Sequence, residues 1–103
     1  MIFVFDIDDT ILCADFIDGR YFVKKWDHDI VDSINKLFRK GHTIIIQTGR
    51  HWNHLKDTMD HLEFVGVPYH ALTMGKPYAD YYIDDKNLTP QDFINKLSEI
   101  LND

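Results

Sequence analysis

The chain has 103 residues, 45% of them hydrophobic, and a single cysteine, Cys13. That length fits one domain over residues 1–103 with a core that needs no staples, and the lone thiol excludes an internal disulfide framework and fits a reducing, cytoplasmic setting. The formal charge of −6 argues against a broad nucleic-acid or anionic-membrane surface, no apolar run approaches the roughly 20 residues of a membrane span, and the opening MIFVFDIDDT has no basic stretch of the kind a signal peptide carries.

In chain order, Ile2-Phe3-Val4-Phe5 is a continuous apolar run that stops at Asp6. Such a run predicts a strand buried on both faces, as in a parallel sheet. Residues 11–25 read as irregular, with a tight turn at Asp18-Gly19 and a short returning arm over Arg20 to Lys24, a hairpin-like flap at most. Asp27 or Asp29 caps a helix with Ile30, Ile34, Leu37 and Phe38 at helical spacing, ending at Gly41. Thr43 to Gln47 predicts a second buried strand. A helix is expected from about His51 to Val65, stopped by Gly66, then short strands near Tyr69 to Leu72 and Tyr81 to Ile83. Thr89-Pro90, a cap followed by proline in its favoured first position, opens a last helix with Phe93, Leu97, Ile100 and Leu101 on one face.

Strands alternating with helices give an α/β fold: a three-layer, Rossmann-like parallel sheet with helices on both faces. Ligands of such sheets sit beyond the carboxyl ends of the strands. Past the first strand stand Asp6, Asp8, Asp9 and Thr10; past the second, Thr48, Gly49 and Arg50; around the last, Lys76, Asp84 and Asp85. Crowded carboxylates repel one another, and a hard divalent cation relieves them; Mg²⁺ suits one or two carboxylates completed by waters and a phosphate. The same acids read singly as turn and cap residues, and Asp84-Asp85 as a solvated turn. Thr48-Gly49 offers a hydroxyl and an open backbone N–H at a helix entrance, an anion site, although Thr-Gly alone is a common cap. Lys76 alone reads as a surface lysine. Together they form a kit for phosphoryl transfer, which depends on positioning and charge neutralisation.

Asp6-Ile7-Asp8-Asp9-Thr10 after an apolar strand resembles the DxDxT signature of the haloacid-dehalogenase-like hydrolase superfamily, and Thr48, Lys76 and Asp84-Asp85 match its later motifs in order. The stretches TGR, PYH, MGKP, YYIDD and TPQDF are similar to short, capless members, some of them capsule-polysaccharide-biosynthesis phosphatases. The resemblance implies a Mg²⁺-dependent phosphomonoester hydrolase. In it Asp6 is the nucleophile that forms an aspartyl-phosphate, Asp8 the general acid and then base, and Thr48 and Lys76 contact phosphoryl oxygens. Mg²⁺ would be held by the Asp6 side chain, the Asp8 backbone carbonyl and Asp84, with Asp85 acting through water or orienting Lys76. Thr10, Gly49 and Arg50 complete the substrate contacts, Arg50 meeting a second anionic group or pairing with a local acid.

No cap domain fits in Leu12 to Trp26 or in residues 49–75. An open site takes a large substrate or borrows a lid from a second subunit, which would make a homo-oligomer. Rim candidates are Arg20, Tyr21, Trp26, Arg50, His51 and His54; a zinc site on the two histidines would need soft ligands that Cys13 alone cannot supply. A small phosphorylated substrate, a sugar phosphate first, is the expected partner. A nucleotide or polynucleotide 3′-phosphate is the alternative within this chemistry, and a non-catalytic phosphate- or metal-binding module the alternative outside it.

Overall fold

The apolar run Ile2–Phe5 forms strand β1 of a computed structural model that describes residues 1–102. Leu12–Ile17 (β2) and Arg20–Trp26 (β3) form an antiparallel hairpin closed at Asp18-Gly19. Both turn residues have positive φ, 52° and 78°, the conformation a two-residue hairpin turn with the right twist demands and Asp-Gly tolerates. Residues 11–25 are thus more regular than the sequence suggests: the flap is a full hairpin with one irregularity between Cys13 and Ala14.

Helix α1 (His28–Arg39) begins at Asp27, whose carboxylate accepts the Ile30 N–H at 3.1 Å. Strand β4 (Thr43–Gln47) follows, then a single 3₁₀ turn (Trp52–His54), helix α2 (Leu55–Val65), strand β5 (Ala71–Thr73) and helix α3 (Pro90–Leu101). Gly66, at φ 88°, ends α2 in the left-handed cap that glycine supplies without strain. Thr89 caps α3 by accepting the Asp92 N–H at 3.1 Å, with Pro90 at the first helical position as the sequence indicates. The expected helix start near His51 is a correction. His51 spends its ring nitrogen on the Asn53 N–H and caps the 3₁₀ turn instead, so the α-helix begins at Leu55.

The sheet is parallel in the order β1-β4-β5, with Phe3 opposite Ile44, Phe5 opposite Ile46, and Ile46 opposite Leu72. This is an α/β fold with no cap domain among the described residues. Two right-handed crossovers running the same way across a sheet put α1 and α2 on one face. That face carries Phe5, Ile44 and Ile46, buried with Ile30, Ile34 and Leu37 of α1 and Leu62 of α2, while Phe93 of α3 packs edge-on to Phe5 at 5.3 Å. The Asn35 amide, reaching the Gly66 carbonyl at 3.0 Å, ties α1 to the end of α2.

The opposite face differs from expectation. Its residues alternate with the buried set, and Ile2 and Val4 are 69% and 58% exposed. The helices pack on the face that carries Phe5, Ile44 and Ile46, which leaves the far face of the sheet the more open one. The expected strand over Tyr81 to Ile83 is also not formed: β1 pairs with β4 alone in this sheet, and Ile83 is 97% exposed. Three apolar residues followed at once by two acids have little apolar surface to anchor a ladder.

Candidate active site

Past the end of β1 the chain coils tightly: the Ile7 carbonyl accepts N–H bonds from Thr10, Ile11 and Leu12, at 3.2, 2.8 and 3.2 Å. Asp9 takes a left-handed conformation, φ 64°, which a short acidic side chain tolerates. Ile7 and Ile11 are wholly buried, so this turn is pinned to the core and fixes where Asp6, Asp8 and Thr10 project. Asp6 accepts the Ile7 N–H at 2.9 Å. Burial pushes its carboxyl above the ordinary carboxylate range; the Ile7 N–H and the Lys76 ammonium pull it back, and Asp8 and Asp9 add to the rise.

The loops that carry Thr48 and Lys76 are stitched to one another by backbone hydrogen bonds. The Thr48 N–H reaches the Thr73 carbonyl at 2.9 Å, the Lys76 N–H the Thr48 carbonyl at 2.8 Å, and the Gly75 N–H the Arg50 carbonyl at 2.8 Å. The approach is close at Gly49, where a side-chain carbon would lie 3.4 Å from the Lys76 carbonyl. Asp6, Thr10, Lys76 and Asp84 line one cavity of roughly 480 Å³, bounded also by β1 and by Lys86 to Pro90.

Other expected site residues take different places. Thr48 is fully buried, and its hydroxyl accepts the Arg50 N–H at 3.2 Å, which leaves the hydroxyl hydrogen free to donate. It does not stand at a helix entrance, since α2 starts seven residues later. Arg50, for which the sequence leaves open a second anionic group or a local acid, takes the acid: it is buried and forked onto Asp8, Nε donating to Oδ2 at 3.1 Å and Nη2 to Oδ1 at 2.8 Å. The cause is local, because Thr58 and His61 of α2 supply acceptors for Nη1, each at 3.3 Å, and the Tyr21 ring lies 4.0 Å beneath the guanidinium.

Asp84 is exposed and accepts the Lys86 N–H at 2.9 Å, an acidic turn that still faces the cavity of Asp6. Asp85 is exposed and is not among that cavity's lining residues; it does not orient Lys76, whose ammonium sits 4.0 Å over the Tyr82 ring. Tyr82 in turn donates its hydroxyl to the Pro77 carbonyl. Among the described residues no three His, Cys, Asp or Glu side chains converge as a metal cluster.

Of the rim candidates, Tyr21 and His54 pack together at 5.1 Å beside Phe16, Arg20 pairs with Asp57 on the surface at 3.7 Å, and Trp26 packs on Phe64 at 5.7 Å, lining a separate cavity with Cys13. Thr58 and His61 are polar neighbours of the site that the sequence reading did not single out. One signal was available: Thr58 shares the buried face of α2 with Leu62 and Val65, and a polar residue on such a stripe needs a partner.

A family model described as haloacid dehalogenase-like hydrolase matches residues 3–103. A crystal structure of a Vibrio cholerae protein superposes with a TM-score of 0.74 at 19% identity, covering 98% of this chain and 96% of that one; at this identity it speaks for the fold alone. No curated protein matches the chain. No helix among the described residues is long and apolar enough to cross a membrane.

Proposed function

The chain belongs to the haloacid dehalogenase-like hydrolases, and on that footing we propose that it hydrolyses phosphate monoesters, with Asp6 as nucleophile and Asp8 as general acid and base. The observation that carries this reading is the shared cavity: Asp6, Thr10, Lys76 and Asp84 face one space, and Lys76 is near enough to act on the Asp6 charge.

The residues divide the chemistry between them. An Asp6 oxygen attacks phosphorus as the bond to the leaving oxygen breaks, and Asp8 gives that oxygen its proton. Water then loses a proton to Asp8 and attacks the same phosphorus, releasing phosphate and freeing Asp6. Each Asp8 oxygen uses one lone pair on Arg50 and keeps another for the site. Lys76 would steady a phosphoryl oxygen from within that cavity.

Mg²⁺ suits this arrangement, because that ion takes one or two carboxylates and leaves its other positions to water and phosphate. Asp6, Asp84 and the Asp8 backbone carbonyl would hold it, and when bound it would neutralise charge on the phosphoryl group. The capless site leaves the leaving group open to solvent, which suits a phosphorylated sugar or another metabolite. A polynucleotide 3′-end draws less support, since Arg50, the cation that would have met it, is consumed by Asp8.

The test is turnover of a simple aryl phosphate with Mg²⁺. The wild-type chain should be active and silenced by chelator, and Asp6→Asn should lose about a thousandfold or more. Asp6→Asn turning over at the wild-type rate overturns the mechanism, and a panel of sugar phosphates set against an oligonucleotide 3′-phosphate separates the substrate classes.

A further inference from the structure

Arg50 is the most enclosed cation described in the molecule, its side chain 1% exposed, and it sits where three separate parts of the chain meet. Four of the guanidinium's five N–H groups are committed: two to Asp8, one to the Thr58 hydroxyl and one to His61 Nδ1. Because arginine only donates, His61 Nδ1 must accept, which requires a neutral ring with its hydrogen on Nε2. Burial and the Arg50 charge both push the His61 ring toward that form. One face of the guanidinium is covered by the Tyr21 ring, which is itself packed against Phe16 at 4.7 Å and His54 at 5.1 Å. At 1% exposure the side chain is closed to a substrate anion.

A planar fork on both carboxylate oxygens fixes the plane and the aim of that carboxylate, and a single-point cation would not. We propose that Arg50 is the positioning residue for Asp8, and that through Tyr21 it couples the aim of Asp8 to the seating of the β2–β3 hairpin. The hairpin then belongs to the working part of the site: where a larger enzyme would have a cap, its aromatic cluster holds the arginine that holds the acid. Misplacement of a reacting group by about 1 Å can cost a hundredfold in rate, so losing the fork registers in kcat rather than in binding.

The kinetic arm of the test rests on the phosphohydrolase reading; the spectroscopic arm does not. On the full chain, with an aryl phosphate and Mg²⁺, Arg50→Lys should lower kcat by about 10- to 100-fold with KM held within about threefold. Tyr21→Leu should lower kcat by about three- to tenfold, and Tyr21→Phe, which keeps the ring, should restore it. A raised KM with kcat intact makes Arg50 a substrate contact and overturns the proposal, as does a folded Arg50→Lys with both constants unchanged. Without metal or substrate, the Arg50 Nε–H resonance of ¹⁵N-labelled protein should shift in Asp8→Asn and in Tyr21→Leu and stay in place in Asp84→Asn. A resonance indifferent to Asp8→Asn overturns the pairing. If the wild-type chain hydrolyses no phosphate ester, the function reading falls, and the spectrum alone decides the role of Arg50.

Discussion

Asp8 and Thr48, neither of which lines the cavity of Asp6, are held by the buried interior: Asp8 by a guanidinium that is 1% exposed, and Thr48, itself wholly buried, at the end of strand β4, whose Ile44 and Ile46 are sealed in the core. Asp84, which faces the cavity, stands instead on an exposed segment tied by a lysine over a tyrosine ring, a tyrosine hydroxyl on the Pro77 carbonyl, an asparagine amide on the Tyr82 carbonyl and an acidic turn. The first part is set when the chain folds, because its geometry is a by-product of packing. The second has little apolar burial of its own and stands to gain order from whatever bridges Asp84 to Asp6. Half of the site is preorganised by the core, and the ligand is left to organise the rest.

The sharpest way to break that contrast is to truncate the residue leading into each half. Ile46 precedes Thr48 and is fully buried, so Ile46→Ala should cost about 2–5 kcal/mol through lost burial and a residual cavity. Ile83 precedes Asp84 and is almost fully exposed, so Ile83→Ala should stay within about 0.5 kcal/mol. Urea unfolding of the metal-free protein reads both, and equal costs would end the distinction.

A smaller effect separates the two carboxylates themselves. Asp8→Ala leaves a buried guanidinium without its counter-charge; losing one partner of a buried pair costs about 3–5 kcal/mol, and the 39% exposure of the Asp8 side chain reduces this to about 2–3 kcal/mol. Asp84→Ala in the absence of metal should lie within about 0.5 kcal/mol of wild type. If Asp84→Ala proved the costlier of the two, the exposed segment would be contributing to the fold, and the contrast would be reversed.

The two halves also differ in how far they could be read from sequence. The strands through Phe5 and Gln47 follow from unbroken apolar runs, the hairpin turn from Asp18-Gly19, and two helix starts from Asp27 and Thr89-Pro90, all local signals with local causes. The same reasoning expected a strand at Tyr81 to Ile83, because pattern reading sees propensity and not the partner a strand must find. The Arg50–Asp8 pair spans 42 residues, and no local pattern announces it. What sequence offered there was a choice between an outside anion and an inside acid. Packing decided it, because Thr58 and His61 bring acceptors that only a buried guanidinium can use.

The smallest expected effect concerns the same buried network and is a change of slope with pH. His61 is pulled below its ordinary value, near 6.5, first by burial and then by Arg50, with Asp57, Asp60 and Asp8 pulling the other way. A histidine lowered in the folded state binds its proton more readily when unfolded. The stability it contributes is therefore complete above the ordinary value and is lost as pH falls through the lowered one. His61→Gln keeps an acceptor for Arg50 and removes the titration. Across the same descent, from about pH 7.5 to about pH 5, the wild type should lose more stability than the variant. Parallel curves over that range would mean that His61 does not feel the guanidinium, and the preorganised side of the site would lose one of the contacts that hold Arg50 in place.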